Sequence, residues 1–375
     1  MFLLRNYLLQ KTYERRRRLS SMRKALLLTR IRLTVRERNY VTNRCLRRPD
    51  EASWPTIYKY GTDSNFKALT SLDKQSFHYL ESLFRPHYKG MMKWRPGGNG
   101  RPAKLQSTHA VLGMLLCFYS DSMGLKSLCI LFGVPPATSV RILKRAEHAL
   151  RDCLRETPLA AIRYPTLEEQ IEWAKLVEAK NLLIKGRWGF IDGKNYKVQK
   201  PSQAELQNAM YNGWLHATFV TGVFCFGATG LLVWGKHNVV GSWNDGDMSR
   251  PFQEKIARPD INVDGHGVLS DSAFPVSGDN FRRIMTPLKE GDGDTITDPV
   301  IRNFVEKLSG AITSMRQPAE WGMGAVEKVY RRLLLPLPYD QNIRGLRLRT
   351  VYMLYNYRVR TVGISEIKNY FNQSV

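Results

Sequence analysis

The stretch RWGFIDG (residues 187–193) decides how this chain is read: an apolar and aromatic run, Trp188 to Ile191, closes on Asp192 and Gly193. A short continuous apolar run bounded by turn residues is the pattern of a buried strand, here ending at a carboxylate. Working outward, 215–226 is rich in β-branched and aromatic residues, and 231–234 follows the turn 227–230. Then 241–256 reads as a loop and helix, 267–270 as a fourth short strand ending at Asp271, and 318–335 as an amphipathic helix that holds Glu320. Three strands, a helix, a strand and a helix make an α/β fold, a mixed sheet flanked by helices.

The charge balance names the class of partner. The 375 residues carry 57 Lys and Arg against 33 Asp and Glu, a net charge of +24 with a pI near 9.9. Residues 1–50 hold 15 of the basic residues against 3 acidic ones, half of the whole excess. Each Lys or Arg set against a phosphate releases condensed counterions, so this balance points to a polyanion, nucleic acid first. With 43% hydrophobic and 11% aromatic residues the chain has the apolar surface to fold, and its length allows two or three units of about 100–200 residues.

Cys45, Cys117, Cys129, Cys153 and Cys225 form no C-x-x-C pair and are odd in number, which fits neither a disulfide framework nor a zinc site and agrees with a reducing compartment. The longest apolar stretch, 222–235, is broken by glycines and falls short of the roughly 20 residues of a membrane span, so no membrane partner is expected. The Arg-rich start has the composition of a mitochondrial presequence, whereas the run Arg15 to Arg18 reads as a nuclear import patch or a nucleic-acid arm; a nuclear protein is the expectation.

Upstream of residue 165 the pattern is helical. Phe77, Leu80 and Phe84 mark one segment and Val111, Leu112, Leu115 and Leu116 another, separated by the turn-rich linker WRPGGNGRPAK (94–104), whose Gly100-Arg101-Pro102 is also the core of minor-groove hooks. The stretch KSLCILFGVPPATSVRILKRAEHAL (126–150) has the grammar of a helix-turn-helix. Leu128, Leu131 and Phe132 lie on a first helix, Gly133-Val134-Pro135 form the turn, and a second helix from Pro136 or Ala137 is expected to bury Val140, Leu143 and Ala146. Arg141, Lys144, Arg145 and His148 then remain free to face DNA, a structural helical hairpin being the plain alternative.

Carboxylates at the carboxyl ends of strands suit one chemistry in particular. Two divalent ions about 3.5–4 Å apart activate water and stabilise a leaving oxygen in phosphodiester cleavage, and such ions take hard oxygen ligands. Asp192 and Asp271 both follow predicted strands, where α/β sheets place their ligands. A single Asp after a strand is more often a turn former or a helix cap, so the weight rests on the set. Gly230 to Lys236 imitates a P-loop, but its centre is a hydrophobic strand and His237 replaces the hydroxyl that would bind magnesium. His216 and His237 lie on or beside strands and read as packing or hydrogen-bonding residues. No Gly-x-Ser-x-Gly elbow occurs.

The stretches WGFIDGKNYKVQKP (188–201), LHATFVTGVF (215–224), GSWNDGDM (241–248), VLSDSAFP (268–275) and SMRQPAEWGMGAVEKVYRRL (314–333) resemble, in order, the motifs of the PIF/Harbinger group of DDE endonucleases. The segment with FGVPPATSVRIL resembles that group's upstream region, and YNYRVRTVGISEI (355–367) its closing helix. The resemblance implies a ribonuclease H-like nuclease, an order of elements the pattern above shares, with catalytic and metal-ligating residues at Asp192, Asp271 and Glu320 and Asp245 as a fourth ligand or a residue behind the ligands. Arg316 is then a candidate to orient a carboxylate or bind phosphate, with a structural ion pair as the alternative, and Trp321 reads equally as a core aromatic. Gly246 departs from the pattern, where a small hydroxyl residue is expected. Pro318 requires the last helix to begin beside it, Glu327 being the substitute for Glu320 otherwise.

The expectation is a DNA endonuclease and transposase that uses Mg2+ or Mn2+ to hydrolyse phosphodiester bonds at transposon ends, with strand transfer implied by the group; the alternative is a domesticated, inactive DNA-binding protein. The expected organisation is a basic arm (1–50) with helix between Leu19 and Val35, a helical region (51–165) with the helix-turn-helix (126–150), a nuclease domain (180–340) and a C-terminal helix (341–375). Double-stranded DNA, a separate Myb-like DNA-binding protein and further copies of the chain are the expected partners.

Overall fold

The computed structural model describes residues 2–39, 41–91, 103–213, 215–274, 280 and 282–372. Six strands make one mixed sheet: β1 (Arg187–Lys197), β2 (Tyr211–Asn212), β3 (Ala217–Gly227), β4 (Leu232–Val240), β5 (Gly267–Leu269) and β6 (Ile284–Met285). β3 lies antiparallel to β1 on one side and to β4 on the other, where the short β2 shares its edge; β5 and then β6 continue the sheet beyond β1 in parallel. Two expected boundaries change. β1 does not end at Asp192 but runs on to Lys197, because Asp192 to Lys197 pair with Phe224 to Phe219 of β3. β4 likewise passes Trp234 and reaches Val240 opposite Val220. The two-residue strands β2 and β6 are too short to show a period, which is why the sequence does not announce them.

Side chains alternate across a strand, so Phe190, Asp192, Phe224 and Phe226 share one face of the sheet. That face is covered by α12 (Gln317–Val329), α13 (Gln341–Thr361) and α14 (Glu366–Asn372). Phe190 stacks on Phe371 with ring centroids 5.4 Å apart, Phe224 stacks on Tyr352 at 4.3 Å, and Gly322 sits against the Phe226 ring, where a Cβ would collide. The opposite face carries α8 (Leu167–Lys180), whose Trp173 lies over Gly227, and α10 (Asp245–Ala257), whose Phe252 meets Trp234 at 5.1 Å. The C-terminal stretch is two helices rather than one, because Gly363 takes a φ of 78° that ends α13.

Before the sheet come α1 (Phe2–Asn39), α2 (Ser53–Tyr60), α3 (Asp63–Thr70), α4 (Lys74–Met91), α5 (Thr108–Ser120), α6 (Leu125–Phe132) and α7 (Pro136–Glu156). α5 is apolar on nearly every side and buried throughout except at His109, the position of a central helix wrapped by α3, α4, α6 and α7. α13 packs on α7 and on β4, so the buried side chains form one continuous cluster from Trp54 to Phe371. α1 is longer than the helix expected over Leu19 to Val35: the segment is dense in Leu and Arg and holds neither glycine nor proline. Its described side chains are all exposed. Most of the linker 94–104, with Gly100, Arg101 and Pro102, lies outside the described residues.

Candidate active site

β1 and β5 run parallel with Phe190 opposite Leu269. Two residues further along each chain stand Asp192 and Asp271, just past the carboxyl end of this parallel pair. Asp192 is held in place because β1 continues along β3, and its Oδ1 accepts the N–H of Gly193 at 2.7 Å. Asp271 leads a turn, its Oδ1 accepting the N–H of Ala273 at 3.0 Å.

Asp245 enters from the other face of the sheet. It opens α10, which Asn244 caps by accepting the N–H of Asp247 at 2.8 Å. Its carboxylate lies where a Cβ on residue 193 would be, so Gly193 is what lets Asp245 approach β1. The sequence reading took this glycine for a strand-ending turn residue; an Asp-Gly pair has that local explanation ready, and the close approach involves a residue 52 positions away.

Glu320 sits in the first turn of α12 and its side chain is 54% exposed. Pro318 falls at the start of that helix, where a missing N–H costs no bond, after α11 (Pro299–Met315) has ended. The break between the two helices leaves Arg316 pointing at the acids: its Nη1 is 3.1 Å from Glu320 Oε1 and 3.5 Å from Asp192 Oδ2. Glu327, the substitute for Glu320, is instead paired with Lys194 Nζ at 2.8 Å. Trp321 packs on Tyr370 with centroids 5.1 Å apart, the core role that its sequence context allowed.

The electrostatics join these groups. Burial pushes the Asp192 carboxyl up to about 6; the Gly193 N–H opposes this, the carboxylates of Asp271 and Glu320 add to it, and Arg316 opposes it. Asp245 is raised too, by burial and then by Asp271. Asp192 therefore feels two other acids and Asp245 a third interaction through Asp271, with one guanidinium among four carboxylates. A divalent cation would relieve that repulsion, and carboxylate oxygens are the hard donors that Mg2+ and Mn2+ take. As the side chains lie, no three His, Cys, Asp or Glu among the described residues are gathered closely enough to ligate an ion, Glu320 being engaged by Arg316.

The residues expected to form a helix-turn-helix lie on α6 and α7. α6 and α7 meet at 92°, joined through Gly133 in a left-handed conformation at φ 66°. Arg141, Lys144 and Arg145 are exposed and His148 is half-buried. Val140, expected in the core, is 53% exposed. The buried stripe of α7 runs through Ser139, Ile142, Leu143, Ala146 and Leu150, set by packing on α4 and α5, and that phase turns Val140 outward. His237 is half-buried beside the stacked Phe224 and Tyr352, 6.4 Å from each ring. Cys117, Cys129, Cys153 and Cys225 are buried, Cys45 is exposed, and all five are free thiols.

Comparison with curated proteins and with solved structures gave no match. Residues 191–356, the part of the chain that brings together Asp192, Asp245, Asp271, Arg316 and Glu320, match a protein-family model described as DDE superfamily endonuclease, and it is to these nucleases that this part is similar.

Proposed function

We propose that the chain is a divalent-metal-dependent DNA endonuclease of the PIF/Harbinger type, a transposase or a nuclease derived from one, on a ribonuclease H-like sheet. The observation that carries this reading is the placement of Asp192 and Asp271 side by side at the end of the parallel pair β1 and β5, with Asp245 and Glu320 supplied from two helices, inside the stretch similar to DDE superfamily endonucleases.

In this reading Asp192, Asp271 and Glu320 hold the metal, with Asp245 as a fourth ligand. The bound Mg2+ or Mn2+ would supply Lewis-acid stabilisation of the phosphate oxygens and a lowered pKa for water. The chain's own residues do the positioning. Gly193 leaves room for Asp245, the Gly193 N–H orients Asp192, and Arg316 restrains Asp192 and Glu320 while adding positive charge where a phosphate arrives. The exposed Arg141, Lys144 and Arg145 of α7 and the basic residues of α1 hold duplex DNA. The freed 3′ hydroxyl attacking target DNA at the same acids, a nuclear site of action, assembly of several copies and a separate Myb-like partner complete the proposal.

The test is cleavage of linear DNA carrying candidate terminal repeats with Mg2+ or Mn2+, comparing wild type with Asp192→Asn, Asp271→Asn and Glu320→Gln. Several kcal/mol of metal-derived stabilisation at tenfold per 1.36 kcal/mol predicts a loss of about a thousandfold in each variant. Metal-dependent cutting that survives all three changes would sink the assignment; wild type that binds DNA but does not cut, with or without added partner, would favour the inactive DNA-binding protein.

A further inference from the structure

At the start of α10, where Asp245 stands, lies a cleft of about 560 Å3 whose lining includes Lys236, Trp243, Asn244, Asp247, Arg250 and Glu254. Its volume is within the range of small-ligand sites, about 300–1,000 Å3. Trp243 is 49% exposed at the turn between β4 and α10, and the Lys236 Nζ stands 5.5 Å from its ring centroid. Arg250 reaches the cleft from the next turn of α10 and pairs with Asp247 at 3.2 Å, while Asp247 also accepts from the Asn244 side-chain amide at 3.0 Å. Glu254, one turn further, is an exposed carboxylate. The cleft therefore offers a flat aromatic face, two cations, one of them paired with Asp247, and a further carboxylate acceptor at Glu254.

We infer that this cleft receives one unpaired base of the DNA substrate, stacked on Trp243 next to the phosphodiester that the acids address. The inference rests on the DNA-nuclease reading above and adds to it the form of DNA that the site takes. A base inside a duplex hides both faces in its stack, so only an unpaired or everted base presents a face to an indole, and aromatic side chains bind such bases with little regard to sequence. Lys236 and Arg250 meet the phosphates on either side of that base, and Glu254 accepts from an exocyclic amine. Trp243 is two residues from Asp245, a chain separation of at most about 7 Å, and this closeness along the chain is what ties the proposed base to the nucleotides near the acids.

The experiment uses the full chain without divalent metal, so that binding is read apart from cleavage. Two probes are compared, a blunt duplex and the same duplex with a three-nucleotide single-stranded flap carrying 2-aminopurine. Wild type should bind the flapped duplex about tenfold more tightly than the blunt one, in line with the loss seen when a stacking aromatic is removed, and should quench the 2-aminopurine. Trp243→Ala should lose the preference and the quenching while binding the blunt duplex as wild type does, and Trp243→Phe should recover most of both. Quenching and preference unchanged in Trp243→Ala, or absent in wild type, overturn the proposal. Wild type that binds neither duplex overturns it together with the nuclease reading, whereas cleavage lost in Asp192→Asn alongside no flap effect in wild type overturns the base site alone.

Discussion

The molecule buries charge in two places and treats it in opposite ways. Between α7 and α13, where the helical layer meets the sheet, Glu147 and Arg347 are both nearly sealed from solvent and stand 2.8 Å apart. Tyr119 donates a second hydrogen bond to the same Glu147 oxygen at 3.1 Å, and Arg347 lies over the Phe118 ring at 5.0 Å. Glu147 and Arg347 neutralise each other there, with the half-buried Arg332 over the same Phe118 ring at 4.2 Å. Beyond the parallel pairing of β1 and β5, by contrast, Arg316 pairs with Asp192 and Glu320 while Asp271 adds its charge to Asp192 and Asp245, and Asp192, 14% exposed, has a carboxyl that burial pushes up to about 6. The first arrangement fixes how two layers dock; the second holds like charges together at a cost that the fold alone does not require. An excess of acid around one buried, perturbed carboxyl is the electrostatic pattern of a candidate functional site.

Breaking the balanced side should have the largest effect on stability. Arg347→Met leaves Glu147 buried without its cation and should cost about 3–5 kcal/mol in urea unfolding, with most of it recovered in the double variant Glu147→Gln, Arg347→Met. A single variant as stable as wild type would erase the contrast.

Relieving the unbalanced side should do the reverse. The folded Asp192 carboxyl titrates near 6 and the unfolded one near 3.8, so the folded chain binds the extra proton and stability falls as pH rises from about 4 to about 6. Asp192→Asn removes that penalty and should raise metal-free stability at pH 7 by about 2–3 kcal/mol, with no gain below pH 4. The same variant should lose the rise in melting temperature that Mn2+ gives wild type. Equal melting temperatures for variant and wild type at pH 7, with and without Mn2+, would count against a strained acid site.

The smallest effect tests the local guanidinium. Arg316→Gln should lower metal-free stability by about 1 kcal/mol or less, since Arg316 is partly solvated, and saturating Mn2+ should remove the difference. A deficit that persists with Mn2+ would make Arg316 a packing residue.

Much of this site was legible before the fold was known. The apolar run 188–191 and the short run before Asp271 announced two of the sheet's strands, because buried strands must be apolar, although β1 carries on past Asp192. Pro318 fixed the start of α12, and with it Glu320 in the first turn, through a rule that needs no tertiary contact. The phase of α7 was misjudged at Val140, since the stripe of that helix is chosen by α4 and α5 and several phases fit the sequence equally well.

What the sequence by itself determined is therefore two apolar runs each leading to an acid, the basic balance, two helices meeting at the turn 133–135 and the helix start at Pro318: all are properties of neighbouring residues or of summed charge. Only the tertiary structure decided which acids meet. The continuation of β1 along β3 aligns Asp192 with Asp271, the missing side chain of Gly193 admits Asp245, and the break at Arg316 places one cation between Asp192 and Glu320. Those choices depend on strand register and on approaches between residues far apart in the chain, which a periodicity cannot encode.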